Sequence, residues 1–163
     1  MADPLEQQVL GELKKGAEKQ NILKKLETKD NRDDLTWYLN HFPTGKGRKD
    51  NQWINWLLVI VLLAVTVNTL YFMALIQLNA AAVDQFSPML LLDLIVPAIN
   101  FFVLSKIIRF HRQGYQFMTV LGILALVRPE NRVMPNLAMY LVIIGLSIFL
   151  LLRLFPKQER VED

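Results

Sequence analysis

Trp53 to Leu78 is an unbroken run of 26 residues without a charged side chain, and Val133 to Leu152 is a second of 20. About 20 apolar residues in helical conformation cross the ~30 Å hydrocarbon core of a bilayer. A chain with two such runs is expected to be an all-α integral membrane protein, because a helix satisfies all of its own backbone hydrogen bonds where no water is available. Hydrophobic residues make up 53% of the 163-residue sequence. The length leaves room for one membrane domain and one small extramembrane segment.

Four membrane-embedded helices are predicted, over 53–78, 88–105, 114–127 and 134–155. The third, Gly114 to Val127, has 14 residues and a helical length of ~21 Å. It is short enough to be re-entrant. Trp53 and Trp56 stand at the start of the first span, where an interfacial aromatic belt belongs. With no apolar h-region in residues 1–50, the first span is expected to act as an uncleaved targeting signal.

Orientation follows from the basic residues near the span ends. With four crossings and a cytoplasmic N-terminus, Lys46, Arg48, Lys49, Lys106, Arg109, Arg112, Arg153, Lys157 and Arg160 are inside. Only Arg128 and Arg132 are then outside. With three crossings the split is eight against three, again with a cytoplasmic N-terminus. Bias of this kind orients proteins of the bacterial inner membrane, and the chain is expected there. Charge favours four crossings and length favours three; four is the preferred threading.

Residues 1–42 read as a cytoplasmic segment of three short helices. Asp3-Pro4-Leu5-Glu6 is a helix start, Leu5, Val9, Leu10 and Leu13 recur at helical spacing, and Gly16 is a stop. A second helix is predicted from Glu18 to Glu27. A third runs from Arg32 to His41, with Asn31 as its cap. So small a core is normally completed by something else. Either the segment packs on its own membrane domain or it docks a partner protein. Residues 43–52, with two glycines and a proline, are predicted to be a basic linker, and 156–163 a charged tail.

Composition closes off several function classes. Residues 1–50 carry ten Lys/Arg against nine Asp/Glu, which is not the concentrated positive face that nucleic acid requires. The sequence has no cysteine and two histidines, both outside the spans. Thiol chemistry, Cys-ligated zinc and iron–sulfur clusters are thereby excluded. No cofactor and no metal site is expected, and no nucleophile–base or paired-carboxylate constellation lies in the spans.

The polar residues within the spans are the candidate site. Asp93 is the one acidic residue in a predicted span, at a cost of ~3 kcal/mol or more in hydrocarbon. Pro97, four residues on, cannot donate to the Asp93 carbonyl and is expected to kink the helix. Asn100 shares its face. Folding the first two spans into a hairpin brings Asn68 and Tyr71 level with Asp93, so Asn68, Tyr71, Asp93 and Asn100 are predicted to form one polar cluster. It is either a proton or cation site, or interhelical hydrogen-bonded glue. Lys106, Arg109, His111 and Arg112 follow the second span. Charges at 106, 109 and 112 fall on one side of a continuing helix, either as a stripe for anionic lipid or a partner or as ordinary flanking charge. His111 among these cations is expected to have a lowered pKa.

Two functions are consistent with this reading. One is a non-enzymatic accessory or assembly subunit of a larger membrane complex, bound to partners through residues 1–42 or the membrane helices. The alternative is a small oligomeric proton- or cation-coupled transporter or channel that uses Asp93. The span count is similar to that of small four-helix multidrug transporters, but those carry their membrane carboxylate in the first span, not the second. A homo-oligomer is compatible with either function.

Overall fold

The computed structural model describes residues 3–82 and 94–161. Among these residues every regular element is helical: α1 (Pro4–Lys14), α2 (Lys19–Leu26), α3 (Arg32–His41), α4 (Gly45–Asp50), α5 (Gln52–Ala82), α6 (Ile95–Ile108), α7 (Arg112–Ala125) and α8 (Asn136–Leu154). Short 3-10 turns at Pro129–Arg132 and Lys157–Glu159 flank α8.

Local chemistry sets the head helices. The Asp3 carboxylate accepts the Leu5 N–H at 3.0 Å, and Pro4 occupies the first helical position. At the other end of α1, Gly16 takes φ +88°. Its N–H donates to the Leu13 carbonyl and that of Ala17 to Glu12, the paired bonds of a Schellman stop. Asn31 departs from its expected role: its side chain makes no cap to α3. Its Oδ1 instead accepts from the Thr28 N–H and its Nδ2 donates to the Leu26 carbonyl, which ties off the end of α2.

The predicted linker is in part helical. Thr44 caps α4 through the Gly47 N–H, and α4 leads into α5 after Asn51. Gly45 is required here by packing, since a Cβ at this position would collide with the Leu13 carbonyl oxygen.

Two cores result. Val9, Leu13, Ile22, Leu35, Leu39 and Phe42 form the head core, and Val161 from the C-terminal tail joins it. The larger core lies between α5, α6, α7 and α8, around Leu58, Leu62, Ile107, Tyr115, Ile143 and Leu150. Asn40 fixes the tail to the head with two bonds of 2.9 Å, its Nδ2 donating to the Val161 carbonyl and its Oδ1 accepting the Val161 N–H.

Two helices are long and apolar enough to cross a membrane, α5 over Gln52–Asn79 and α8 over Asn136–Leu154. In each, only 22% of the most apolar window is buried within the fold, whereas the core helix of a water-soluble domain is mostly buried. Their outward faces carry large apolar side chains, among them Trp53 at 88% and Leu78 at 67% exposure. α6 is apolar but shorter, with 14 described residues, and α7 also has 14.

Candidate functional site

The inward face of α5 is the stripe Asn55, Leu58, Leu62, Val65 and Thr66, all buried. Thr66 and Thr69 return their hydroxyls to the carbonyls of Leu62 and Val65, at 2.8 and 2.9 Å. That bond satisfies a hydroxyl without leaving the helix. On α6, Asn100 Nδ2 donates to Thr66 Oγ1 at 3.2 Å. Asn100 crosses to α5 but meets Thr66.

Tyr71 lies apart from this contact. It is nine residues beyond Leu62, half a turn from the inward stripe at 100° per residue. It is 59% exposed and sets its ring edge-on to Phe72. Asn68, also exposed, borders the cleft described below. Asp93 falls outside the described residues. Pro97 is in the first turn of α6; the carbonyl it would leave without a donor is that of Asp93, so the expected kink lies outside the described residues. It does not interrupt the described helix.

A polar contact that sequence reasoning missed sits nearer the head. The Tyr115 hydroxyl donates to Asn55 Oδ1 at 2.7 Å, and Asn55 Nδ2 reaches the Ile107 carbonyl at 3.4 Å. Both side chains are buried. One contact therefore ties α5, α6 and α7. Its signal in the sequence was weak: an asparagine one turn before Leu58 and two before Leu62, on the same helical face.

The basic stretch 106–112 is not one helical stripe. α6 stops at Ile108, and Phe110 adopts φ +58°. The Phe110 N–H donates to Ile107 and that of His111 to Lys106, so the chain reverses in a Schellman geometry with a non-glycine residue at the left-handed position. That conformation costs ~1–2 kcal/mol. The buried Phe110 ring, with the Arg48 guanidinium 4.7 Å from its centroid, offsets it. The four polar residues consequently diverge. Lys106 lies over Phe102, Arg109 caps α6, His111 caps α7 by accepting the Gln113 N–H, and Arg112 opens α7 with its Nε buried and unpartnered among the described residues.

His111 is the hub of the junction between the head and the α5–α8 bundle. Its ring lies 5.1 Å from Phe42, 5.4 Å from His41 and 5.6 Å from Trp37, centroid to centroid. Trp37 and His41 stack at 4.1 Å, and His41 Nδ1 meets the Trp37 carbonyl at 2.7 Å. Burial pushes the His111 pKa down to about 4, with Lys106 and His41 adding to the shift. The neighbouring cations expected to lower it are the smaller cause. Burial likewise lowers His41 and brings Lys19 down to about 8, with Glu159 opposing the latter. The junction therefore holds neutral imidazoles and a lysine whose charge is disfavoured.

At the opposite end of the bundle, the four long helices leave a cleft of about 1050 Å³. Its walls are mostly aliphatic, and among the described residues Arg128 is the one charged side chain lining it. Asn68, Asn100, Asn131, Asn136 and Tyr140 also line it. Arg132 is occupied elsewhere, its guanidinium donating to the carbonyls of Leu126 and Val127 at the end of α7. No group of three or more metal-ligating side chains occurs among the described residues. No protein-family model matches this chain, and neither a curated protein nor a solved structure matches it.

Proposed function

We propose that the chain is a non-enzymatic integral membrane protein with four crossings, and that it serves as an accessory or assembly subunit acting within the bilayer. A cytoplasmic N-terminus and an inner-membrane location belong to this reading through the basic residues at one end. The Asn40–Val161 pairing supports an even number of crossings, because a tail that meets the head must return to the head's side.

The observation that carries the subunit role is the length of α5. Its 31 residues extend about 46 Å, against about 21 Å for the 14 of α7 and about 28 Å for the 19 of α8. Tyr71, Leu75 and Leu78 on its distal half are exposed. A partner helix in the membrane would cover them. The head is closed by its own tail and by His111, so partner contact is assigned to the membrane helices in preference to residues 1–42.

Photo-crosslinkers placed at Leu75 and at Trp37, followed by purification in mild detergent, test this assignment. Stoichiometric adducts from position 75 are expected. Adducts from position 37 alone, or a clean homo-oligomer free of other proteins, refute it.

The transporter or channel reading has one observation in its favour: Asn68 and Asn100 border the cleft. It depends on Asp93. Robust pH-dependent flux in proteoliposomes that disappears in Asp93→Asn would establish it. The subunit reading expects no such flux and a silent Asp93→Asn.

A further inference from the structure

The distal cleft has a polarity that matches one class of ligand. Tyr115 meets Asn55, which sets the level of α7 against α5. Thirteen residues on from each, Asn68 in α5 and Arg128 just past the end of α7 both line the cleft, Asn68 lying about 20 Å further from the head along its helix. Gly122, where an added Cβ would approach Ile144 Cγ1 to 2.7 Å, lets α8 close against α7 below it. The floor of the cleft is therefore sealed by Leu62 and Met118, both buried. Its side is open. Phe72, Ile76 and Leu124 line it and are also exposed on the outer surface. At about 1050 Å³ it lies at the top of the ~300–1,000 Å³ range of small-molecule sites. A cation that is the one charged group among the described lining residues, a phenol beside it, an aliphatic interior and a lateral opening are complementary to an amphiphile with an anionic head.

We propose that this cleft binds an anionic phospholipid, with its phosphate at Arg128 and an acyl chain lying between α5 and α8. The inference rests on the membrane reading above, and four crossings would place the site in the outer leaflet. Tyr140, which also lines the cleft, supplies a further hydrogen-bonding group for the head. A zwitterionic lipid would bring its own cation to Arg128 and lose the pairing.

The test uses the full chain reconstituted in vesicles of equal phosphatidylglycerol and phosphatidylcholine, then released into mild detergent for native mass spectrometry. Retained phosphatidylglycerol should exceed phosphatidylcholine by about fivefold, the effect expected of one basic side chain at an anionic lipid. Arg128→Gln should abolish the preference, and Lys157→Gln, an exposed cation at the other end of the molecule, should leave it intact. Ala64→Trp, which projects into the cleft from an exposed position, should remove both lipids. Ala125→Leu is a milder filling variant should the tryptophan disturb folding, and helix content and elution profile monitor both. Equal retention of the two lipids overturns the proposal, as does a preference that survives Arg128→Gln or undiminished lipid in both filling variants. Recovery of the chain in the membrane fraction and outside labelling of Asn131→Cys read the membrane assignment separately.

Discussion

Asn40 and Val161 are 121 residues apart in sequence and joined by two hydrogen bonds of 2.9 Å. One side-chain amide thereby uses its donor and its acceptor on a single tail residue. The bond pair closes the head core with Val161 and returns the end of α8 to the start of the chain. The tail thus completes a head whose own apolar side chains are few.

Topology is the first consequence. In a cysteine-free background, Gly47→Cys and Gln158→Cys should both be protected from an impermeant thiol reagent applied outside, and Asn131→Cys should react. Opposite accessibilities at 47 and 158 would mean that the tail cannot reach the head in the membrane, and the four-crossing threading would fail.

The clasp itself is expected to be worth about 1–2 kcal/mol, two hydrogen bonds at the usual net value. Asn40→Ala should release the tail, so that a C-terminal tag becomes sensitive to limited proteolysis while α5–α8 stay folded. Unchanged proteolysis would show that the apolar contact of Val161 suffices alone.

Within the bundle, Tyr115→Phe should destabilise by about 1–3 kcal/mol, because the buried Asn55 Oδ1 loses its donor. Asn55→Leu should be costly alone, yet the double variant should cost less than the sum of the singles. Thermal denaturation in detergent provides the cycle. Strict additivity would mean that the two residues do not depend on each other.

The junction should respond to acid. The native His111 pKa of about 4 is below the ordinary value of 6.5. Between these values the unfolded state binds more protons, so stability falls as pH drops from 6.5 toward 4 and is fully present above 6.5. The head should therefore loosen across this window, read as faster amide exchange in α3. His41 shifts in the same direction. His111→Asn should flatten the response; a slope unchanged by that substitution would assign it to other groups.

Lys19 gives the converse test. Its native pKa of about 8 lies below 10.5, so its charge opposes folding fully below pH 8 and the penalty fades as pH rises to 10.5. Lys19→Met should stabilise the chain at pH 7 by on the order of 2 kcal/mol and gain progressively less above pH 8. A destabilised variant at pH 7 would show that the ammonium makes a favourable contact, Glu159 being the candidate.

Some of the site was legible in the residue order, and its failures have physical causes. Asp3, Pro4 and Gly16 placed α1 because caps and stops act within a few residues of the backbone they satisfy. Asn31 misled because its amide satisfies Thr28 and Leu26 equally well. Tyr71 misled because a helix that is apolar on every side carries no periodicity to mark its inner face. The stretch at 106–112 misled because nothing in a Phe–His pair announces a left-handed turn. Phe110 is held there by burial and by Arg48, which comes from α4.

The sequence alone determined where the long apolar helices lie, where the head helices begin and at which end the basic residues gather. These follow from side-chain chemistry acting over one or two turns. Tertiary structure decided which face of α5 turns inward, the pairing of Asn55 with Tyr115 and of Asn100 with Thr66, the burial of His111 and the return of Val161 to Asn40. Each joins residues far apart in the chain, and each depends on packing of helix faces that the sequence leaves equivalent.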